Sequence, residues 1–257
     1  MSILASFDAY TIRARLLPAI IATAPGLAFI SCFVSSENLG LSTAITSFAA
    51  LVLLTVFADL ARRQGKRVEP MVYAKIGGKP SISMLRYSDR TLDSVTKSRL
   101  RGFLAARINE LNPSIDDELS RPVECDAFYE RCGNWLREHT RDQKKFNILF
   151  EENMTYGFRR NLFGLKNFSL GLSIIVASTI LMLLFFKIPI DFQTGMANKF
   201  LLVLVFSTVH VAYFVFAVSF GGVCEAARQY GRQLLLSCEV LAVPSAPAAK
   251  RKSKMGS

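Results

Sequence analysis

Charged side chains are scarce over long stretches of this sequence, although Asp, Glu, Lys and Arg form 20% of the whole chain. Four blocks of about 20 residues, the length that a helix needs to cross a bilayer, contain only Asp59 and Lys187 between them. A soluble domain of this size interleaves polar and apolar residues at helix or strand period. The separation of charged from apolar residues therefore argues against an ordinary soluble domain and predicts an integral membrane protein.

The four apolar blocks extend over residues 16–35, 41–60, 169–188 and 200–223. Each is long enough to cross ~30 Å of hydrocarbon as a helix, so the sequence predicts four transmembrane helices. Short connections pair the first block with the second and the third with the fourth, which predicts two hairpins. The predicted fold class is an all-α membrane protein, homo-oligomeric, with a mainly helical cytoplasmic insert between the hairpins.

Three helix-disturbing residues, Pro18, Pro25 and Gly26, lie in the first block. Proline removes a backbone donor and bends a helix, so we predict a kink in this span. Membrane helices tolerate proline where neighbouring helices satisfy the freed carbonyls.

Basic residues mark one end of every block. Lys and Arg precede the first and third blocks and follow the second and fourth, whereas residues 36–38 contain none and the loop 189–199 contains only Lys199. Positively charged flanks stay on the cytoplasmic side of a membrane. The pattern therefore places both chain ends and the middle of the chain in the cytoplasm.

Cysteine is also sparse, with five residues in the chain. In the predicted orientation four of them lie in the cytoplasm or at its membrane surface, and Cys32 lies near the far end of the first span. Thiols in a reducing compartment stay unpaired, so we expect no disulfide framework.

Residues that carry catalysis are few. The only histidines are His139 and His210, and Gly77-Gly78-Lys79 lacks the upstream glycine of a phosphate-binding loop. The seven-residue spacing of Cys125, Cys132 and His139 puts neighbours ~10 Å apart on a helix, too far to share a metal ion. We therefore expect no enzyme activity, catalytic residue, metal or cofactor.

Composition divides the chain into five segments. They are an N-terminal helix with the first hairpin, 1–60; a basic cytoplasmic domain, 61–167; the second hairpin, 168–223; a cytoplasmic helix, 224–243; and a disordered basic tail, 244–257. The tail is rich in Pro, Ala and Lys, a composition that does not form a packed core.

The insert is predicted to begin with extended structure and to continue as helices. Turn formers and β-branched residues over 68–89 predict a short strand or extended segment on either side of a turn at Gly77-Gly78. Apolar residues at helical spacing then predict a helix from Asp89 to a stop at Asn112-Pro113. In this helix Val95 is predicted to share an apolar stripe with Leu100 and Leu104, whereas Lys97 and Arg101 are predicted to lie on another stripe. Further helices are predicted over 125–141, 144–163 and 224–241, and Ser114 or Asp116 is a predicted helix cap.

Basic residues are concentrated early in the insert, which holds 21 Lys and Arg against 14 Asp and Glu. Between residues 86 and 107 the only acids are Asp89 and Asp93. Arginine binds two phosphate oxygens with one guanidinium, and aromatic rings stack on bases. The candidate residues for binding nucleic acid or phosphate are Arg86, Arg90, Lys97, Arg99, Arg101, Arg107 and Tyr87. The alternative is a solvated basic surface over the membrane.

His210 is an ionisable side chain near the centre of a predicted span. Such a group is costly in lipid, so it faces other helices or water. We interpret His210 and its neighbour Ser207 as pore or gate candidates, with an interhelical hydrogen bond as an equal alternative. Thr43 and Ser47 in the second span are further pore candidates, although small polar residues also favour close helix packing.

The hairpins 16–60 and 169–223 together with the Arg-rich stretch 86–107 resemble, in architecture, the channel subunit of Hailong-type antiphage defence. The membrane component of Kiwa systems is nearly as similar in architecture. The first resemblance implies a homotetrameric four-span channel in a bacterial inner membrane. It also implies a gating ligand, short single-stranded DNA made by a partner nucleotidyltransferase, that holds the channel closed.

These observations favour a ligand-gated ion channel effector of antiphage defence, gated by a cytoplasmic oligonucleotide or nucleotide and acting by membrane depolarisation. Its expected partners are the lipid bilayer, further copies of the chain and the nucleic-acid ligand. The alternative is a non-conducting membrane-anchored adaptor that recruits a cytoplasmic protein. A membrane-bound enzyme is disfavoured because no catalytic motif is present.

Overall fold

The computed structural model describes residues 8–32, 43–186 and 195–243, with the backbone alone described for 43–51. Within these ranges every regular element is helical and none is a strand. The helices are α1 (Ala9–Ser31), α2 (Thr43–Lys75), α3 (Pro80–Ser83), α4 (Ser94–Ile108), α5 (Ile115–Ser120), α6 (Pro122–His139), α7 (Asn147–Gly164), α8 (Lys166–Phe185), α9 (Met196–Phe216) and α10 (Phe220–Ala242).

The chain forms two compact units. Unit 1 comprises residues 1–80 and 148–230, and unit 2 comprises residues 81–147 and 231–257. The core of unit 2 includes Leu104 of α4, Leu136 of α6 and Cys238 of α10, all at most 1% exposed. The five-segment division drawn from composition stays a prediction, because a membrane boundary and a boundary between compact units are different properties.

Three helices of unit 1 are long and apolar enough to cross a membrane: α1, α8 and α9. Many of their outward side chains are large and apolar, among them Leu27, Ile174, Phe185, Leu202 and Val209. A soluble monomer rarely exposes a continuous apolar surface, whereas lipid tails surround one readily. For the described residues, the prediction of an all-α fold with helices of membrane length is confirmed.

The remaining predicted span, 41–60, coincides with the first part of α2, a helix of 33 residues. Among its described side chains, Val52, Leu53 and Val56 are exposed and apolar. The four-span arrangement and the two hairpins stay predictions. Most of both hairpin loops and the whole predicted tail, 244–257, lie outside the described residues.

The strand or extended segment predicted within 68–89 is wrong. Helix α2 continues to Lys75, and the next element is the short helix α3. Val68 and Val72 lie one helical turn apart and are both buried in an apolar cluster of unit 1. This apolar face outweighs the β propensity of single valines. The predicted turn is confirmed, since Gly77-Gly78 has φ of 79° and 126°, a region that favours glycine.

Local hydrogen bonds set the ends of the unit 2 helices. Asp93 accepts a bond from the backbone N–H of Thr96 at 2.8 Å and starts α4. Asn109, with φ of 57°, ends α4 before the predicted stop at Asn112-Pro113, which is therefore wrong by one short turn. Ser114 forms a capping box with Asp117 and starts α5, as predicted. The helices predicted over 125–141, 144–163 and 224–241 are confirmed as α6, α7 and α10.

The buried face of α4 differs from the apolar stripe expected from the sequence. Val95, assigned to that stripe, is 77% exposed. Lys97 and Arg101, assigned to a different stripe, are 3% and 4% exposed and share the buried face with Leu100 and Leu104. Two cations on the inward side of one helix are costly unless each is paired or hydrogen bonded, so their partners define the candidate site.

Candidate functional site

Four of the seven predicted ligand-binding residues line one pocket in unit 2, with a volume of about 320 Å³. The pocket lies where the loop before α4 meets the first turns of that helix. Its walls include Tyr87 and Arg90 from the loop, Lys97 and Arg101 from α4, and Ser94 at the helix start. These residues were predicted because they are close in sequence, and the conformation of the loop places them around one pocket.

The loop is held by carboxylates that bind its backbone. Glu118 accepts the N–H of Tyr87 at 3.0 Å and the hydroxyl of Tyr129 at 2.7 Å. Asp89 accepts both the N–H and the hydroxyl of Thr91. The hydroxyl of Tyr87 donates to the carbonyl of Pro113 at 3.0 Å. These bonds fix the ring of Tyr87 as one wall of the pocket.

The buried side chain of Lys97 binds the backbone of the same loop. Its Nζ donates to the carbonyls of Arg86, at 2.9 Å, and Asp89, and it lies 3.8 Å from Oδ1 of Asp89. Burial is the largest influence on this ammonium and lowers the pKa of Lys97, because an apolar environment disfavours the charged form. The loop therefore only partly replaces the solvation that Lys97 loses.

Arg101 is the more unusual cation. One guanidinium nitrogen donates to the carbonyl of Leu85 at 3.1 Å, and Cζ lies 3.5 Å from the ring centroid of Tyr87. Its Nε is buried and has no hydrogen-bond partner among the described residues. Buried polar groups in proteins are nearly always bonded, so an unpaired donor in a pocket wall favours an acceptor from a ligand.

Arg90 and Ser94 complete the donor set. Both side chains are exposed. Neither makes a hydrogen bond or ion pair within the described part of the chain. Ser94 and the carboxylate of Asp93 were not among the predicted site residues. The capping pattern at the start of α4 was the signal that could have identified them.

The other three predicted residues have protein partners away from the pocket. Arg86 binds Asp126 through two bonds of 2.8 Å and 2.6 Å, and this hydrogen bonding is the main reason that the pKa of Arg86 is raised. Arg99 pairs with Glu239 at 2.5 Å. Arg107 stacks on the ring of Phe103 with Cζ 5.0 Å from its centroid. The Arg-rich stretch is thus divided between a pocket, ion pairs and a stacked contact.

In unit 1, His210 joins three of the apolar helices. Its Nε2 lies 2.8 Å from the carbonyl oxygen of Ile21 in α1, and its Nδ1 lies 3.1 Å from Oγ of Ser173 in α8. Pro25 has no N–H, so it cannot donate to Ile21, four residues earlier. His210 supplies the missing donor as the Nε2–H tautomer. This arrangement favours the interhelical alternative over a pore-lining position for His210.

Asn161 of α7 supplies the hydrogen-bond donor that the other proline of α1 lacks. Its Nδ2 donates to the carbonyl of Ala14 at 2.6 Å, and Pro18, four residues later, has no N–H to offer that oxygen. Asn161 is fully buried. The kink predicted in this span is therefore accompanied by two side-chain donors from other helices.

The remaining pore candidates are less defined. Ser207 is 2% exposed, and its hydroxyl has no partner among the residues that the structure describes. The side chains of Thr43 and Ser47 lie outside the described residues.

The cysteines and His139 lie apart from both sites. Four thiols are buried, and Cys32 is half-buried. His139 stacks on Trp135, with the ring centroids 4.0 Å apart. Among the described residues no three His, Cys, Asp or Glu side chains are placed to hold a metal ion.

No protein-family model, curated protein or solved structure matches this chain. The features of the chain that bear on function are the pocket, the interhelical bonds and the apolar surface.

Proposed function

We propose that this protein is a four-span channel of a bacterial inner membrane, controlled by an anionic ligand that binds the unit 2 pocket on the cytoplasmic side. The ligand class is an oligonucleotide or a nucleotide, and the response is membrane depolarisation in antiphage defence. The observation that carries the proposal is the pocket itself: cationic donors gathered in a unit outside the apolar helices, in a chain whose other unit has three membrane-length helices.

Two features support a membrane role for α2 as the fourth span. Its described portion before residue 60 presents Val52, Leu53 and Val56 as exposed apolar side chains. Arg62 and Arg63 follow this portion, as expected at a cytoplasmic membrane surface. Four spans also leave both chain ends on the same side of the membrane as unit 2.

A pore in this protein requires several copies of the chain. His210, Ser173 and Ile21 fill the interior between α1, α8 and α9 with hydrogen-bonded side chain and backbone. A conducting path therefore runs between copies, which is the reason to propose a homo-oligomer, with a tetramer implied by the architectural resemblance. A ring of copies also repeats the basic unit around its axis and adds the potentials of the individual units.

Ion flux in reconstituted vesicles tests the proposal. Purified protein is inserted into liposomes loaded with a potassium-sensitive dye, and flux is recorded with and without short single-stranded DNA or mononucleotides. We expect the flux to depend on the ligand, and Arg90→Gln to remove that dependence because it deletes an unpaired cation at the pocket.

Arg141→Gln is the matched control, since it removes an exposed arginine of unit 2 whose partner is Glu138, away from the pocket. Vesicles that contain correctly inserted protein and stay impermeable under every ligand condition would contradict the channel. That result would favour the non-conducting adaptor that recruits a cytoplasmic protein.

A further inference from the structure

We infer that the unit 2 pocket takes one phosphate monoester of mononucleotide size and not a stretch of nucleic-acid backbone. This inference rests on the proposed role of the pocket as the ligand site. Its basis is the number, position and occupancy of the cations in the pocket wall.

Three residues of the pocket lining, Arg90, Ser94 and Arg101, have donors without a partner among the described residues. Nε of Arg101 is buried without a partner, and the side chains of Arg90 and Ser94 make no bond within the described residues. A phosphate monoester carries three terminal oxygens that accept charge-assisted hydrogen bonds, for which guanidinium groups are well suited. Ser94 also begins α4, a helix of 15 residues, so backbone N–H groups and the helix dipole add positive potential at that end.

The charge of the pocket suits one phosphate. Three cations line it, Arg90, Lys97 and Arg101, together with the carboxylates of Asp89 and Asp93. The carboxylates are held by local bonds to Thr91 and to the start of α4 and leave a small positive excess. A monoester dianion concentrates its charge in one group, so a small local excess of positive charge and three donors in the lining are sufficient.

A nucleic-acid backbone needs a different surface. Each nucleotide adds one charge, and binding along a strand uses a row of unpaired cations. The basic residues that continue this stretch are already occupied: Arg86 by Asp126, and Arg99 by Glu239. A nucleic-acid strand that extended beyond the pocket would therefore find no unpaired cation at Arg86 or Arg99.

Size leads to the same class of ligand. A volume of about 320 Å³ lies at the lower end of the roughly 300–1,000 Å³ typical of small-molecule sites. Arg101 covers a face of the Tyr87 ring, so that face is closed to a nucleobase. The phosphate thus provides most of the recognition. A free nucleoside monophosphate and the 5′-phosphorylated end of a short oligonucleotide both present the required group.

Titration calorimetry on the detergent-purified full chain tests the inference. The probes are deoxyadenosine monophosphate, deoxyadenosine, and one short oligodeoxynucleotide with either a 5′-phosphate or a 5′-hydroxyl. We expect the phosphorylated member of at least one pair to bind about tenfold more tightly or better, since a difference of 1.4 kcal/mol is tenfold. Preference within the nucleoside pair identifies a free nucleotide as a source, and preference restricted to the oligonucleotide pair identifies a strand end. Equal affinities within both pairs, or no binding, overturn the inference.

One variant locates the binding. Arg90→Gln alters an exposed side chain, so the protein should fold, which circular dichroism verifies. We expect Arg90→Gln to weaken monophosphate binding about tenfold and Arg141→Gln to leave it unchanged. The logarithm of affinity should fall with the logarithm of salt concentration with a slope near −1 to −2, whereas several backbone contacts would give a steeper one. Equal losses for Arg90→Gln and Arg141→Gln overturn the assignment to this pocket.

The binding and flux experiments separate two kinds of failure. If vesicles conduct in response to oligonucleotides and the 5′-phosphate makes no difference, the inference fails and the channel stands. If the monophosphate binds through Arg90 and the vesicles never conduct, the channel fails and the pocket assignment stands.

Discussion

Arg101 combines burial, a stacked aromatic ring and a donor without an acceptor. Its Nε is buried in a side chain that is only 4% exposed. Leaving such a donor unsatisfied costs about 1–3 kcal/mol, more when the group is charged. In unit 2 this unsatisfied donor lies in a site formed by Lys97 and by the loop before α4, which includes Tyr87. A ligand oxygen that bonded Nε would recover part of this cost, which gives the pocket a physical reason to bind an anion.

Gly164 at the end of α7 provides a prediction about packing in unit 1. A Cβ at this position would lie 2.6 Å from the backbone carbon of Gln64 in α2, so the two helices would have to separate. We expect Gly164→Ala to lower the free energy of unfolding by about 1–3 kcal/mol, measured by thermal unfolding in detergent.

Gly171 of α8 is the matched control, because nothing lies within 4 Å of the corresponding Cβ. Gly171→Ala should leave stability unchanged or raise it slightly, since alanine favours a helix over glycine. Similar melting temperatures for the two variants would show that α2 and α7 do not approach as closely as described.

Helix α1 is the element in which several departures from ideal geometry coincide. A π-helical turn occupies Ile12–Leu16, and Pro18 and Pro25 follow it. Each proline removes the usual donor to a carbonyl four residues earlier, and Asn161 and His210 from other helices bind those two oxygens. π-helical turns and prolines interrupt a regular helix, so the conformation of α1 depends on its neighbours. In the proposed channel, α1 is therefore a candidate for the element that changes conformation on gating.

A double-mutant cycle tests the bond between His210 and the carbonyl freed by Pro25. His210→Ala leaves that carbonyl without a donor, whereas Pro25→Ala restores a backbone N–H to it. We expect His210→Ala to reduce stability, and to reduce it by about 1 kcal/mol less in the Pro25→Ala background, within the range measured for interhelical bonds in membranes. The free energy of unfolding of the four proteins is measured by equilibrium unfolding in mixed micelles. Identical costs of His210→Ala in both backgrounds would contradict the compensation.

At the scale of the whole molecule, the two units differ in the surface that they present. Unit 1 exposes large apolar side chains on α1, α8 and α9, while unit 2 contains the cationic pocket. The apolar faces provide area for lipid and for contacts between copies, both of which the proposed oligomeric channel requires. The division suits a protein in which one unit receives a ligand and the other responds within the membrane.

Cys32 offers a test of the proposed orientation without engineered labels. It lies at the end of α1 away from Arg13 and Arg15 and is half-buried, whereas the other four thiols are buried. Burial also raises the pKa of Cys132 and Cys238 to about 12, so little reactive thiolate forms there near neutral pH. We expect a membrane-impermeant maleimide to label intact cells at Cys32.

The control is Cys32→Ser, which should abolish the labelling of intact cells. Labelling that appears only after the membrane has been permeabilised would place the end of α1 on the cytoplasmic side. The proposed orientation, with both chain ends inside, would then be wrong.

Much of the candidate site could be located from the sequence, although its geometry could not. Basic and aromatic residues are concentrated over residues 86–107, and this concentration predicted four residues of the pocket: Tyr87, Arg90, Lys97 and Arg101. The same criterion included Arg86 and Arg99, whose acidic partners are 40 and 140 residues away. Charge density along a chain does not record such pairings, so it could not separate the pocket from the ion pairs.

The sequence by itself determined the helical character, the membrane-length apolar helices and Ser114 as one of two candidate caps for α5, because hydrophobic periodicity and capping act over a few neighbouring residues. It did not determine that Val68 and Val72 would continue α2 instead of forming a strand, since their burial depends on distant helices. Only the tertiary structure decided that Lys97 and Arg101 turn inward, and that His210 bonds Ile21 across 189 positions. These outcomes depend on which buried groups find partners after the chain has packed.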